Sequence, residues 1–321
     1  MLTDFMYVMS LIGSAGFYVP VLVVVFWCVS PRAGAWAGVV LSLSGALNTL
    51  VKLWIHAPRP YWTDPSITGR QSLTSFGMPS GHAQGAVVAW GRFGIEWSRR
   101  TRAPRAGRVA GWALIVAVVV MVGVSRVYLG VHSAGQVAAG WLIGAALLIG
   151  AELLTPVVVP WWRRRHLAVQ LALSLAVAGA FFAPMAVAVA ELRHWRPPAA
   201  WAHAIAAAGG VVGPVTLTDG ATIAGILFGV LAGVSLLAYR GWFAPGGTFW
   251  RRAARVPVGM AGAGAILGAG WLAGETAVAV FLVHGVLGMW MTAGAPEAFV
   301  RLGLARRSVP RATATAVDGH S

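Results

Sequence analysis

The 321-residue chain is 58% hydrophobic and only 10% charged, which is too apolar for an ordinary soluble domain. Several uncharged runs reach the roughly 20 residues that cross a bilayer, so the sequence predicts a multi-pass membrane protein. A formal net charge of +15 would indicate nucleic-acid binding in a soluble protein. Here the arginines lie in short segments between apolar runs, where they set membrane orientation, and we exclude nucleic acid as a partner.

Nine apolar runs predict about nine transmembrane helices in an all-α, polytopic bundle. They lie near 10–29, 34–53, 81–97, 109–125, 132–154, 167–190, 221–239, 257–273 and 276–293. The first run has neither a basic stretch before it nor a small-residue cleavage site after it, so we expect a retained helix rather than a signal peptide. The single Cys28 lies in this run and excludes an internal disulfide.

The basic residues predict the orientation of these helices. If the nine runs alternate, eighteen arginines fall on one side, which the positive-inside rule assigns to the cytoplasm, with the amino terminus outside and the carboxyl terminus inside. Six basic residues remain for the outer face: Lys52, Arg59, Arg70, Arg126, Arg193 and Arg196. Lys52 is the only lysine beside 23 arginines, so its retention there calls for a separate reason.

Three segments on the predicted outer face carry unusual chemistry. They are "KLWIHAPRP" from Lys52, "PSGH" at 79–82 and "SRVYLGVHSAGQ" at 125–136. Their order, Lys-x6-Arg-Pro, Pro-Ser-Gly-His and Ser-Arg-x5-His, resembles the three-part signature of the type 2 phosphatidic acid phosphatase superfamily, over about the first half of the chain. The sequence Arg59–Trp62 and the presence of Gln136 resemble the motifs of the glucose-6-phosphatase and dolichyl-diphosphatase branches.

The residue types in these segments suit phosphoryl transfer, which spreads negative charge over the peripheral phosphate oxygens. Lys52, Arg59 and Arg126 would supply converging cations, with lysine retained where the planar fork of an arginine would not fit. The amino terminus of a helix at Ser80 and Gly81 would add a hydroxyl donor and free backbone N–H groups.

The resemblance implies the roles of two histidines. His132 would attack phosphorus to give a phosphohistidine, and His82 would protonate the leaving oxygen, without a metal or another cofactor. Many members have an aspartate where this chain has Gln136, four residues after the nucleophile and on the same helix face. We expect Gln136 to fix the imidazole tautomer without the charge of a carboxylate, leaving His132 less basic.

Each of these residues also has an ordinary interpretation. Lys52 and Arg59 could be interfacial charges, His132 a buried hydrogen-bonded histidine, and PSGH a helix cap. Their joint placement on one predicted face favours the site. Elsewhere, Trp195 and Trp201 suit the membrane interface, and Asp219 is interpreted as a turn or cap residue.

The sequence divides into residues 1–160, expected to form the catalytic helical core, residues 161–307, expected to be accessory transmembrane helices, and a disordered cytoplasmic tail at 308–321. The predicted function is a plasma-membrane phosphatase that acts on a lipid, such as a polyprenyl diphosphate or a phosphatidic-acid-like lipid, on the extracytoplasmic face. Composition hints at a high-GC bacterium, where an undecaprenyl diphosphate phosphatase would serve envelope synthesis. The alternatives are a sugar-phosphate phosphatase, a non-catalytic phosphate-lipid binding protein and a transporter.

Overall fold

A computed structural model describes residues 1–210, 213 and 216–308, and these fold into α-helices with one two-stranded sheet. The expected disordered tail lies, from residue 309 onward, outside the described residues. The helices are α1 (Leu2–Ile12), α2 (Ala15–Val24), α3 (Pro31–Ile55), α4 (Pro60–Thr63), α5 (Gly81–Arg100), α6 (Arg105–Tyr128), α7 (Ala134–Arg163), α8 (Leu167–Glu191), α9 (Ala199–Ala207), α10 (Leu217–Arg240), α11 (Phe249–Ala273), α12 (Ala277–Met289) and α13 (Ala295–Arg301). The strands β1 (Phe243–Ala244) and β2 (Arg306–Arg307) pair antiparallel.

The expectation of an all-α, polytopic membrane bundle is confirmed. Within the described residues, seven helices are long and apolar enough to cross a membrane, or eight if α1 and the bent segment Ala15–Val29 count as one span. Helix α5 occupies the third predicted run, but it carries several charged residues and is not among the seven. The count of nine and the sidedness of the termini therefore stay predictions.

The helix ends follow from local chemistry. The α3 helix begins with Pro31 behind Ser30, whose side chain accepts from the backbone N–H of Ala33. Ser80 caps α5 in the same way. Ser133 and Gln136 form a reciprocal capping box at the start of α7. Two of the three signature segments therefore contain the capping residue at the start of a helix.

The helices that carry the signature form one bundle, in which α3 packs on α5, α5 on α7 and α6, and α1 on α6. Helix α10 packs against α3 on one side and against α8 and α12 on the others. Near the amino-terminal end of α3, Trp27 donates to the carbonyl of Met291 over 3.0 Å. The amino-terminal segment and the carboxyl-terminal helices therefore share a core. The domain division at residue 160 stays a prediction.

Candidate active site

The candidate site lies where the carboxyl-terminal ends of α3 and α6 meet the amino-terminal ends of α5 and α7. The backbone N–H of Ser80 donates to the carbonyl of Gln136 over 3.0 Å, which joins the start of α5 to α7. Gly77 donates to the carbonyl of Ala57 over 2.8 Å, which ties the irregular segment before α5 to the end of α3. All three signature segments are thereby brought to one end of the bundle.

Lys52 and Arg59 are held by the same two residues of the irregular segment. The Lys52 ammonium donates to Ser75 Oγ at 3.1 Å and to the Phe76 carbonyl at 2.9 Å. The Arg59 guanidinium donates through Nη2 to the same two oxygens and through Nε to the Ser75 carbonyl at 2.8 Å. Two like charges are therefore held side by side by neutral oxygens.

The imidazole of His132 lies between Arg59 and Gln136. Arg59 Nη1 is 3.1 Å from His132 Nε2, and Gln136 Oε1 is 3.1 Å from His132 Nδ1. A guanidinium only donates, so Nε2 is the accepting nitrogen and Nδ1 carries the proton. Gln136 Oε1 also accepts from the backbone N–H of Ser133, and its Nε2 donates to the carbonyl of Pro58 at 2.8 Å. The tautomer is thus fixed from both ends.

The surroundings of His132 favour the neutral imidazole. His132 lies in the loop between α6 and α7 and is 2% exposed. Burial lowers its pKa well below the ordinary value, and the charges of Arg59, Lys52 and Arg126 lower the pKa further. The hydrogen bond with Gln136 acts in the opposite direction. A neutral ring with Nε2 unprotonated is the form that can act as a nucleophile.

Arg126 is fully buried and only partly hydrogen-bonded. Its Nη1 donates to Ser10 Oγ and, at 2.7 Å, to Gln71 Oε1. Its Nε and Nη2 atoms have no partner among the described residues. Buried guanidinium donors are costly to leave unpaired, so these N–H groups indicate a missing acceptor.

Carboxylates of the described residues do not compensate the three cations of the site. Among the described residues, no Asp or Glu oxygen lies within 4.0 Å of Lys52, Arg59 or Arg126, although eight such ion pairs occur elsewhere. Buried cations are normally paired. The cluster is therefore arranged for an anion that the protein does not itself provide.

The PSGH segment opens α5 beside this cluster. Ser80 is fully buried, and its hydroxyl oxygen accepts from the backbone N–H of Ala83. A Cβ on Gly81 would lie 3.0 Å from Oδ1 of Asn48. Asn48 in turn donates to Gln84 over 2.9 Å and so ties α3 to α5. His82 is half-buried in the first turn of α5 and makes no hydrogen bond within the described part of the chain.

Two glycines permit close approaches in the site. A Cβ on Gly77 would lie 2.6 Å from Nε2 of Gln136, so any side chain there would disturb the contact with Pro58. Gly130 has φ +74°, and a Cβ there would lie 2.4 Å from the carbonyl oxygen of Thr68. Its left-handed backbone lets the chain turn from α6 into the His132 loop.

An aromatic layer covers the outer side of the site. Phe76 and Trp62 are 1% and 2% exposed and lie in one apolar cluster with Trp195 and Trp201. The Phe76 and Trp195 ring centres are 5.4 Å apart, and those of Trp62 and Trp201 are 6.1 Å apart. The two tryptophans expected at the membrane interface therefore pack over the segment that holds Lys52 and Arg59.

Several residues of this arrangement were missed by the sequence analysis. They are Ser10, Asn48, Gln71, Ser75, Phe76 and Gly77. The cluster of Ser, Thr, Gln and Gly between α4 and α5 was the available signal, because such a polar stretch between two signature segments is unusual in so apolar a chain. Across the described residues, no group of three His, Cys, Asp or Glu side chains could hold a metal ion, and the expected lack of a metal stays a prediction.

Comparison with known proteins adds independent evidence. The family model of the PAP2 superfamily matches residues 33–166, and that of the "PAP2 superfamily phosphatase, transmembrane extension" matches residues 221–307. Phosphatidylglycerophosphatase B of Bacillus subtilis (strain 168) is 29% identical over 142 residues, which cover 42% of this chain and 66% of that protein, just under two thirds of its length.

A solved structure is also similar: the crystal structure of the first transmembrane PAP2 type phosphatidylglycerolphosphate phosphatase from Bacillus subtilis. It is 24% identical, covers 48% of this chain and 77% of that one, and has a TM-score of 0.43. The two family models match successive stretches that together span more than half of the sequence, and the first includes all three signature segments. Both stretches match the PAP2 superfamily, which confirms the resemblance seen in the signature segments.

Proposed function

We propose that this protein is a membrane phosphatase that hydrolyses a lipid phosphomonoester or diphosphate through a phosphohistidine at His132. Lys52, Arg59 and Arg126 bind the phosphoryl oxygens, with the Ser80 hydroxyl and the start of α5 at Gly81 beside them. The superfamily and the name of the phosphatidylglycerophosphatase relative support a lipid substrate. The extracytoplasmic side of the plasma membrane is proposed from the arginine distribution.

The observation that carries this proposal is the fully buried Arg126. Its Nε and Nη2 atoms lack acceptors among the described residues, and no described carboxylate pairs with it or with its two neighbouring cations. A phosphoryl group supplies several anionic oxygens at once, and a guanidinium can grip two of them. A phosphate therefore satisfies donors that the folded chain leaves unpaired.

The first chemical step follows from the tautomer of His132. The lone pair of Nε2 attacks phosphorus while the bond to the leaving oxygen breaks. His82, in its protonated form, gives its proton to that oxygen. The cations stabilise the charge on the peripheral oxygens, and Gln136 holds the Nδ1 proton as the ring becomes positively charged.

The second step reverses these roles. Neutral His82 accepts a proton from water as the water oxygen attacks phosphorus, and the phosphorus–nitrogen bond breaks. Inorganic phosphate leaves, and His132 recovers its free Nε2 lone pair.

Arg59 has a double role in this scheme. All five of its N–H groups are accepted, one of them by His132 Nε2. That contact occupies the lone pair of the nucleophilic nitrogen. Attack requires Nη1 to leave Nε2, and a phosphate oxygen beside the ring offers it a stronger, charged acceptor. Substrate binding therefore releases the nucleophile.

The test is phosphate release by the purified protein in detergent from phosphatidic acid, a polyprenyl diphosphate and glucose 6-phosphate. His132→Ala is expected to lower release on the order of a thousandfold or more, and His82→Ala by about a hundredfold or more. His203→Ala is the matched control, because His203 is an exposed histidine on α9, and it is expected to keep parental release. A phosphoryl group trapped on the parent, labile to acid, is expected to be missing from His132→Ala.

The outcomes separate the competing functions. Release by the parent that neither substitution reduces would disprove this site. Release from glucose 6-phosphate alone would identify a sugar phosphatase. Tight phosphate-lipid binding with no release from any compound would identify a binding protein or a transporter.

A further inference from the structure

A cavity of about 290 Å³ lies beside Lys52, between the end of α3 and the start of α10. Lys52 and Thr49 line it from α3, and Ser75 lines it from the segment that also holds Arg59. Thr216 and Asp219 line it from the first turn of α10. Helix α10, whose first turn precedes the stretch matched by the transmembrane extension, thus brings polar side chains to the candidate phosphate site.

Tight packing holds α10 in this position. Leu227 is fully buried in one cluster with Ala46 and Leu53 of α3. On its other side, α10 approaches α12 backbone to backbone, since a Cβ on Gly225 would lie 2.5 Å from the carbonyl oxygen of Phe281. More than half of the apolar stretch of α10 is buried inside the protein. Helix α10 is therefore a fixed wall of the cavity rather than a peripheral helix.

The cavity also has the exposure that a substrate needs. Arg59 and Arg126 are 1% and 0% exposed, and Phe76, whose carbonyl accepts from Arg59, is 1% exposed. Lys52 is half-buried and is the cation of the cluster that lines the cavity. A phosphoryl group bound by all three cations therefore has room for its attached alcohol beside Lys52, against α10.

The side chains of α10 set the chemistry of that room. Asp219 is exposed, and its carboxylate makes no hydrogen bond to the described residues. The hydroxyl of Thr222 and the amide of Asn48 line the same space. A carboxylate accepts hydrogen bonds from hydroxyl groups, whereas it repels a second phosphate that is bonded directly to the first. The cavity suits a hydroxyl-bearing head group and opposes a diphosphate.

We infer that Asp219, with Thr216 and Thr222, forms a subsite for the substrate's alcohol part and selects phosphomonoesters that carry a free hydroxyl near the phosphate. This inference rests on the proposed function and assigns a specificity role to the start of α10. The same hydroxyl chemistry occurs in a phosphoglycerol lipid and in free glycerol 3-phosphate. A membrane-embedded cavity wall favours the lipid.

The experiment compares kcat/KM for phosphatidylglycerol phosphate, phosphatidic acid, a polyprenyl diphosphate and glycerol 3-phosphate. Asp219→Ala is expected to lower the ratio of phosphatidylglycerol phosphate to phosphatidic acid about tenfold, the value of one charge-assisted hydrogen bond. Asp219→Asn is expected to raise turnover of the diphosphate, because it removes the repelling charge. Thr222→Val is expected to shift the first ratio in the same direction by a smaller factor.

Glu275→Gln is the matched control, because Glu275 is an exposed acid in the loop between α11 and α12 and does not line the cavity. It is expected to keep the parental ratio of phosphatidylglycerol phosphate to phosphatidic acid and the parental turnover of the diphosphate. If Asp219→Ala keeps the parental ratios while His132→Ala abolishes release, the subsite is wrong and the proposed function stands. If Asp219→Ala lowers kcat/KM for glycerol 3-phosphate as much as for phosphatidylglycerol phosphate, the hydroxyl contact holds and the substrate is soluble. A parent that releases no phosphate overturns both proposals.

Discussion

Arg126 of α6 and Arg255 of α11 are both completely buried, near opposite ends of α3, and their environments differ in one respect. Arg255 donates to the carbonyls of Trp27, Pro245, Gly246 and Leu304, so all five of its N–H groups are accepted. Arg126 donates from Nη1 only, and its other nitrogens have no acceptor in the described part of the protein.

The comparison shows that burial of a charge does not by itself indicate a ligand site. Arg255 also has no carboxylate within ion-pair distance among the described residues, yet backbone carbonyls accept all of its N–H groups. It joins the end of the α2 segment to the loop before α11 and to the turn after α13. We therefore interpret Arg255 as structural and Arg126 as a binding residue, and this difference predicts opposite responses to the same substitution.

The largest effect is expected for Arg126→Met. Phosphate release should fall by about a thousandfold or more, because the substitution removes the donors that are available to the phosphoryl group. The melting temperature in the same detergent should stay level or rise, because an uncompensated buried charge is replaced by an apolar side chain. A variant that unfolds instead would show that Arg126 is held as Arg255 is.

The converse is expected for Arg255→Met. Loss of the donor leaves several buried carbonyls unpaired, at about 1–3 kcal/mol each, so the free energy of unfolding should fall by about 3 kcal/mol or more. Release per folded molecule should stay near that of the parent. Arg251→Met, one turn away on α11 at an exposed position, is the control and should change stability by less than about 0.5 kcal/mol. An active-site loss in Arg255→Met without loss of stability would contradict the structural interpretation.

Inorganic phosphate should distinguish the two ends through ligand-induced stabilisation. At about a hundred times its dissociation constant, phosphate should stabilise the parent by about 2.7 kcal/mol. It should stabilise Arg255→Met by the same amount and Arg126→Met far less. The measurement is the melting temperature as a function of phosphate concentration, with chloride at equal ionic strength as the control. Equal stabilisation of all three proteins would place the anion elsewhere.

The smallest effect is expected for Gln136→Glu, which tests the contact that fixes the tautomer. The pKa of His132 is depressed, so neutral His132 persists below its ordinary pKa of about 6.5 and should not limit kcat/KM near neutrality. A carboxylate next to Nδ1 raises that pKa, so the acidic limb of kcat/KM should move to higher pH by about one unit while activity is retained.

Gln170→Glu is the matched control for this prediction. Gln170 is also a buried glutamine whose Nε2 donates to a backbone carbonyl, that of Arg165 at 2.9 Å, and it lies at the other end of the bundle. The pH profile of that variant should match the parent. An unchanged profile in Gln136→Glu would mean that Gln136 does not act on the nucleophile.

Local patterns in the sequence predicted much of the fold. The run at 34–53 corresponds to α3, which spans Pro31–Ile55, and the run at 167–190 corresponds to α8, which spans Leu167–Glu191. The first run was predicted as one helix from residue 10, whereas the chain bends by 50° between α1 and α2. That bend lies near Gly13 and Ser14, and the stretches on both sides of it are apolar, so a hydropathy pattern predicts one run.

The amino-acid sequence by itself determined the membrane class, the helical runs and the ordered signature, because hydropathy and residue spacing are local properties of the chain. Only the tertiary structure decided that Ser75 and Phe76 hold two cations, that Pro58 orients Gln136, and that α10 lines the cavity beside Lys52. These contacts use backbone carbonyls and irregular segments, which have no periodicity, and they join residues far apart in the chain. Their positions follow from how the helices pack, which a local pattern does not encode.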